Sequence, residues 1–391
     1  MVTPKNLEQV FVYKDPELAH AANQSSVITL QNGEVLMGFN EERYPYHSDS
    51  GQSCFIKSRD GGKTWDPATK KVVWPYTDFG GNWDCAFAQI SDGTILMHTR
   101  VCNFIAPWGI KSEGDQTLGS GGVFSGDLDP APYSPSGRPE RLKRQTSYAL
   151  LKSKDNGNTW TDPIPVNTSP VADSGLGPYS VGGSGAAHII ELPDGGLIFP
   201  LNGRVGPGGG RSFLMRSDDG GDNWEYFATM AHDPADIIYW VEPGMTRLQN
   251  GNLVCLYRTS HVSHSRQDNM WFNYSDDDGV TWNPPEKTEL WGFPADILQL
   301  QDGRVLAVYG YRDPPWGVRG CLSNDGMTWE IKNQFVIREG GMRHTKVADQ
   351  WYHIGYPSVT QLKDGTIITG YHEYSDDEPT IQFMACARFT L

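Results

Sequence analysis

The chain has 391 residues, among them 44 Gly, 26 Pro and 13 Trp, and carries a formal net charge of −15. Lys and Arg number 32 against 47 Asp and Glu, which argues against a phosphate-backbone binder, whose affinity needs a basic face. Its apolar runs are only a few residues long, too short for a membrane span, and the start Met1-Val2-Thr3-Pro4-Lys5 lacks the apolar core of a secretory signal.

As the sequence stands, this predicts a cytoplasmic protein, or a secreted or periplasmic one if a leader has been removed. Six Cys (54, 85, 102, 255, 321, 386) form no C-x-x-C and mostly lie in apolar β-like runs. Buried free thiols are therefore expected rather than a disulfide framework or a zinc site. The length allows two or three domains, unless one large β architecture takes the whole chain.

In chain order, the first element is an alternating strand, Gln9-Val10-Phe11-Val12-Tyr13. Asn32-Gly33 then sits between two alternating apolar runs. The same arrangement returns at Asp92-Gly93, Asp194-Gly195, Asn250-Gly251, Asp302-Gly303 and Asp364-Gly365. Asn-Gly and Asp-Gly in that setting are the strongest short hairpin signal. The first five are each followed by a box: Ser58 to Trp65, Ser153 to Trp160, Ser217 to Trp224, Ser275 to Trp282, and a shortened Ser323 to Trp329. The pattern S-x-D-x-G-x-T-W reads as a turn in which Asp caps backbone amides, Gly supplies positive φ and Trp packs back on the strands. A calcium reading is weaker, because an EF-hand loop needs a longer ligand series ending in Glu. The boxes read as structural, with no metal.

Each unit is thus strand, tight turn, strand, loop, strand, box turn, strand. Six units predict an all-β, six-bladed β-propeller with four antiparallel strands per blade, as a single domain over 1–391. The sixth blade lacks a box, and the N-terminal strand is expected to complete it. About 101–145, rich in Gly, Pro and Ser, reads as a loop insertion in blade 2.

Strand direction alternates, so the starts of strand 1, the ends of strand 2 and the starts of strand 3 share the face opposite the boxes. Counting eight residues back from each tight turn gives Gln24, Asp84, Ala186, Glu242, Pro294 and Tyr356. The strand-2 ends bring Arg43, Arg100, Arg204, Arg258, Arg312 and Glu373, and the strand-3 starts add Asp49 and Arg319. A mouth rich in arginine on an acidic protein suits an anionic or heavily hydroxylated ligand. Tyr356 beside Glu242 and several arginines is a candidate nucleophile, since cations lower a phenol pKa. Trp83, Trp240 and Trp316 flank the mouth as candidates for sugar stacking. Asp84 and His372 lie on the same side, with Asp84 the reserve acid. His261-x-x-His264 and the glycine-rich 206–210 read as plain loops.

The boxes and the blade repeat resemble the sialidase (neuraminidase) superfamily over nearly the whole chain. Phe39-Asn40-Glu41-Glu42-Arg43 resembles that family's segment ending in Glu-x-Arg, which implies that Asp49 is the acid/base. Glu242-Pro243, with Leu256-Tyr257-Arg258, is similar to the general-base Glu and the second arginine of the family's carboxylate clamp. Gly355-Tyr356-Pro357-Ser358-Val359 is similar to the segment carrying the tyrosine nucleophile, and Glu373 matches the Glu ending the next strand. Arg319 would be the third clamp arginine, with Arg312 the runner-up because the loop length differs.

One departure stands out. Where the family has an Arg-Ile-Pro motif, this chain reads Ala22-Asn23-Gln24-Ser25-Ser26, so Gln24 replaces the first arginine. An amide contributes no charge, and charge-assisted bonds are roughly twice as strong. Arg204 or Arg100 are the candidates to substitute from another blade.

The resemblance implies a sialidase-like, exo-acting glycoside hydrolase, retaining, with a tyrosine nucleophile and no cofactor. Its substrate would be the terminal sugar of a glycan or oligosaccharide, anionic or unusual because of Gln24. Two other readings stand beside it. One is a propeller polysaccharide lyase or rhamnosidase-type enzyme on uronate-containing glycans, using Arg43, Tyr356 and His372. The other is a non-catalytic carbohydrate-binding propeller. Oligomeric state has no sequence signal here.

Overall fold

The computed structural model describes residues 2–17, 21–42, 51–77, 80–105, 143–168, 181–204, 210–235, 237–261, 268–341, 355–374 and 382–391. Apart from one short 3-10 turn at Ile331–Asn333, their regular structure is all strand, arranged as six antiparallel sheets in a ring. Among them no helix is long and apolar enough to cross a membrane. The predicted six-bladed β-propeller is the observed fold.

Blade 1 is typical of the set, with strands Ala21–Thr29, Val35–Glu42, Gln52–Ser58 and Asp66–Trp74 from the axis outward. Its second strand is buried along its whole length, because it faces a neighbouring blade on either side. The cores lie between blades. Leu36 and Phe55 of blade 1 pack with Phe87 and Met97 of blade 2. Leu306 and Val308 of blade 5 pack with Val359 and Tyr371 of blade 6. All six cysteines are buried and free.

Blade 6 consists of Gly355–Gln361, Ile367–Tyr374 and Gln382–Thr390, with Lys5–Tyr13 as its outer strand. Lys5 pairs with Thr390 and Val10 with Cys386, so the N-terminal strand closes the ring as its pattern predicted. Blade 3 departs from the simple repeat. Its inner strand is two short pieces, Val181–Gly182 and Ile190–Glu191, both paired with Leu197–Arg204.

The boxes form as expected from their chemistry. In the first, Asp60 Oδ1 accepts from the Lys63 and Thr64 amides at 3.1 and 2.9 Å, and Ser58 Oγ accepts from Gly62 N–H at 2.8 Å. Gly62 sits at φ 80°, where a side chain would be strained. Asp155 and Asp219 repeat the pattern. The carboxylates spend their lone pairs on their own turns.

These bonds set a pH dependence. Desolvation pushes the Asp60 carboxyl up, but the bonds from Thr64, Ser58 and Lys63 outweigh it and hold the group at about 2. Hydrogen bonds from Thr159 place Asp155 at about 2 as well. A depressed carboxyl contributes stability above its unfolded value, here 3.8, and loses it as pH falls through the folded one. The melting temperature should therefore drop steeply between pH ~4 and ~2. Differential scanning calorimetry on Asp60→Asn and Asp155→Asn should show a shallower acid limb; an unchanged limb would refute the assignment.

Candidate active site

Four of the six inner strands carry the same irregularity at the mouth. Pairing slips between Asn23 and Ser26, Trp83 and Ala86, Val241 and Gly244, and Gly355 and Ser358. Each bulge holds a polar residue at positive φ: Gln24 at 52°, Asp84 at 61°, Glu242 at 48° and Tyr356 at 42°. A bulge re-aims a side chain that a regular strand would send into the sheet face. Left-handed backbone at a non-glycine residue costs on the order of 1–3 kcal/mol and persists only where the surroundings enforce it. All four positions belong to the strand-1 set read from the turn spacing.

At the centre, Tyr356 Oη donates to Glu242 Oε1 at 2.8 Å. Arg258 Nη1 lies 3.0 and 2.9 Å from the two Glu242 oxygens. The Arg312 guanidinium carbon stands 4.9 Å from the centre of the Tyr356 ring. Phe293 is the shared floor, with Arg258 and Arg312 at 4.6 and 4.7 Å from its ring centre. Nε and Nη2 of Arg312 are buried with no hydrogen-bond partner among the described residues. Burial lowers the Arg312 pKa. Buried, unspent guanidinium donors are places where an acidic group of a ligand gains most.

The expectation that cations lower the Tyr356 pKa is corrected by depth. Burial, then the Glu242 charge, pushes the phenol up to about 12 against the opposing pull of Arg312 and Arg258. Desolvation of the phenolate outweighs two guanidiniums, one of which is already paired.

A second group occupies the blade 1–2 side. Gln24 Nε2 donates to Asp84 Oδ1 at 2.9 Å, and Arg100 Nε lies 3.1 Å from Asp84 Oδ2. Burial raises Asp84 to about 6 despite Arg100 and Gln24, and the Glu242 charge adds to the rise. The Gln24 backbone N–H donates to His372 Nδ1 at 3.1 Å, and the His372 ring stacks on Tyr356 at 5.9 Å and 24°. Arg100, proposed as a stand-in for the missing arginine, is committed to Asp84.

The BNR repeat-like domain matches residues 133–369. The chain belongs to that family and is a sialidase-like propeller. A sialidase from Bacteroides fragilis is 28% identical over an alignment of 381 residues that covers 89% of this chain and 60% of that protein. The chain thus spans about three-fifths of the curated relative's length. Among solved structures, a protein of unknown function from Dyadobacter fermentans superposes with TM-score 0.76 at 25% identity, covering 99% of this chain and 98% of the other. The Hadza microbial sialidase Hz136 superposes with TM-score 0.64 at 18% identity, covering 95% and 66%, and shares the fold.

In this sialidase-like propeller, other residues of interest are placed elsewhere. Arg319 Nη1 donates to the Arg338 carbonyl at 3.0 Å, with its guanidinium carbon 4.9 Å from the Tyr311 ring centre. Glu373 pairs with Arg338 at 2.7 Å. Both are thus tied to the outer strand of blade 5, whereas Arg312 contacts Tyr356. Trp83 and Trp240 are buried, and Trp316 is half-buried. Arg43, Asp49, His264, residues 205–209 and most of the blade 2 insertion lie outside the described residues, as does the Arg204 side chain.

Sequence reasoning missed Phe293, Asn202 and Ser25. Asn202 Oδ1 accepts the Glu242 amide at 3.0 Å, and Ser25 Oγ–H donates to the Tyr356 carbonyl at 2.8 Å. The only signal for Ser25 and Phe293 was their position beside Gln24 and Pro294.

Proposed function

We propose that this propeller is an exo-acting glycoside hydrolase of sialidase type, working with retention and with Tyr356 as nucleophile. The observation that carries this reading is the 2.8 Å bond from Tyr356 Oη to Glu242 Oε1. A phenol held near 12 is almost wholly protonated at neutral pH, so attack needs a base in contact with it. Glu242 takes the phenolic proton as Tyr356 Oη bonds to the anomeric carbon. The glycosidic C–O bond breaks, and its oxygen takes a proton from an acid, the role assigned to Asp49. Water, deprotonated by that same carboxylate, then displaces Tyr356, which recovers its proton from Glu242.

The substrate is a terminal sugar with one acidic group, seated against Arg312 and Arg258. Gln24 Nε2 is bonded to Asp84 and, as an amide, adds no charge to that grip. The acidic group is therefore held by fewer guanidiniums than the family's clamp supplies, and a simple aryl sialoside should be a poor substrate.

A glycan panel with sialyl, uronyl and neutral termini tests both statements. Purified protein should release a reducing sugar, with the retained anomer appearing first by proton NMR. An unsaturated, ultraviolet-absorbing product would instead identify a lyase, and binding without turnover a carbohydrate-binding propeller. Either outcome overturns the reading.

A further inference from the structure

Two residues beyond each mouth position lie Ser26, Ala86, His188, Gly244, Asp296 and Ser358, one per blade, with His188 between the two short inner strands of blade 3. The ring is tight here, since a Cβ at Gly244 would lie 2.1 Å from the Ala295 carbonyl. His188 reaches across it. Its Nδ1 is 2.9 Å from the Phe87 carbonyl of blade 2, and its Nε2 is 3.2 Å from Asp296 Oδ2 of blade 5 and 3.1 Å from Ser358 Oγ of blade 6. One side chain of blade 3 thus joins three other blades directly below the candidate site.

The partners define its protonation. A carbonyl oxygen only accepts, so Nδ1 must carry a proton. Asp296 accepts from the Ile297 amide at Oδ1 and the Val359 amide at Oδ2, each at 2.8 Å, as an ionised carboxylate does. Nε2 must therefore donate too, or a nitrogen lone pair would face a carboxylate oxygen. With both nitrogens donating, the ring is an imidazolium.

We propose that His188 is a permanently charged axial hub at neutral pH and a positioning residue for Tyr356. The path is short. Asp296 fixes the Val359 amide, and Ser358 Oγ meets His188 while accepting from the Val27 amide at 2.9 Å. These bonds clamp the strand just past the bulge that holds Tyr356 at positive φ, and Ser25 clamps the Tyr356 carbonyl from blade 1. Without the hub, the strand can relax and carry the phenol away from Glu242.

Among the described residues, the titratable groups facing His188 are Asp296 and His98. His98 shows the contrast. It stacks on Phe199 at 4.3 Å, with Nε2 2.6 Å from the Ala187 carbonyl and no carboxylate partner, and burial lowers it to about 4. For His188, burial also lowers the pKa, but Asp296 outweighs it and the net shift is upward from 6.5. A raised histidine contributes stability in full below its unfolded value and loses it as pH rises through the folded one. The hub therefore loosens on the alkaline side.

The inference rests on Tyr356 being the nucleophile, so the test begins with measurements that need no substrate. Histidine-ring nitrogen NMR on the full chain at pH 7 should show one ring protonated at both nitrogens and titrating above the ordinary histidine range. That signal should vanish in His188→Gln. A singly protonated His188 would overturn the proposal. Carbon NMR of tyrosine rings should show the Tyr356 signal displaced in His188→Gln; an unmoved signal would overturn the positioning role. With a substrate in hand, His188→Gln should lower kcat about tenfold, with KM within about twofold, since the change acts on the reacting geometry. The neutral pair His188→Gln/Asp296→Asn should recover kcat to within about threefold and lose the wild-type alkaline decline. If that decline persisted in the double variant, His188 would not be its source. Failure of every glycan as a substrate would count against the proposed function alone, and the NMR results would still decide the hub.

Discussion

Tyr356→Phe is expected to lower kcat by at least ~10⁴-fold while leaving the fold intact. The ring is what the structure packs: it stacks on His372, lies against Arg312 and keeps the same bulge. Only the hydroxyl is lost, and Glu242 keeps its contacts with Arg258. The melting temperature should stay within a few degrees, and substrate should still bind. The measurement is single-turnover hydrolysis on the best glycan from the panel, alongside isothermal titration calorimetry. Near-wild-type turnover would remove Tyr356 from the chemistry and with it the retaining scheme.

Glu242→Gln is the second large effect. An amide can occupy the same position, but it cannot take the phenolic proton. With the phenol near 12, only about one molecule in 10⁵ would be phenolate at pH 7. Loss of the base should cost ~10²–10⁴-fold in kcat. The variant also removes the Arg258–Glu242 ion pair. Breaking a fully buried pair costs about 3–5 kcal/mol; with both side chains 15% exposed, roughly half that is expected. Urea unfolding measures the second effect and pre-steady-state kinetics the first. Wild-type kcat with lowered stability would make Glu242 a structural partner of Arg258 rather than a base.

The propeller was legible because its signals are local and repeated. Asn32-Gly33 and its five relatives specify hairpins through backbone conformation alone, and each box closes a turn with its own side chains. The mouth positions followed from counting along strands, which brought Gln24, Asp84, Glu242 and Tyr356 to one face. The bulges themselves had no signature, because a polar residue at positive φ is held by neighbours from other blades, such as Asn202 and Ser25. Depth was equally invisible. Cations near Tyr356 could be inferred from spacing, but not that burial would outweigh them. Spacing alone did not show that Arg312 lies against Tyr356 while Arg319 is held by the Arg338 carbonyl. The broken inner strand of blade 3 also escaped notice: Gly185 there allows the Ser25 carbonyl to within 2.2 Å of where a Cβ would sit.

The pairing of Lys5–Tyr13 with Gln382–Thr390 has a consequence for biosynthesis. Blade 6 carries Tyr356, and it joins two segments more than 360 residues apart in sequence, Lys5 pairing with Thr390. A ribosome-bound chain can have made five blades while the early strand Lys5–Tyr13 still waits for Gln382–Thr390, the strand that joins it to the sheet of Tyr356. Maturation of the site thus waits for the Gln382–Thr390 strand, and a chain cut short before it leaves the Lys5–Tyr13 strand without its mate, an exposed edge that quality control can recognise.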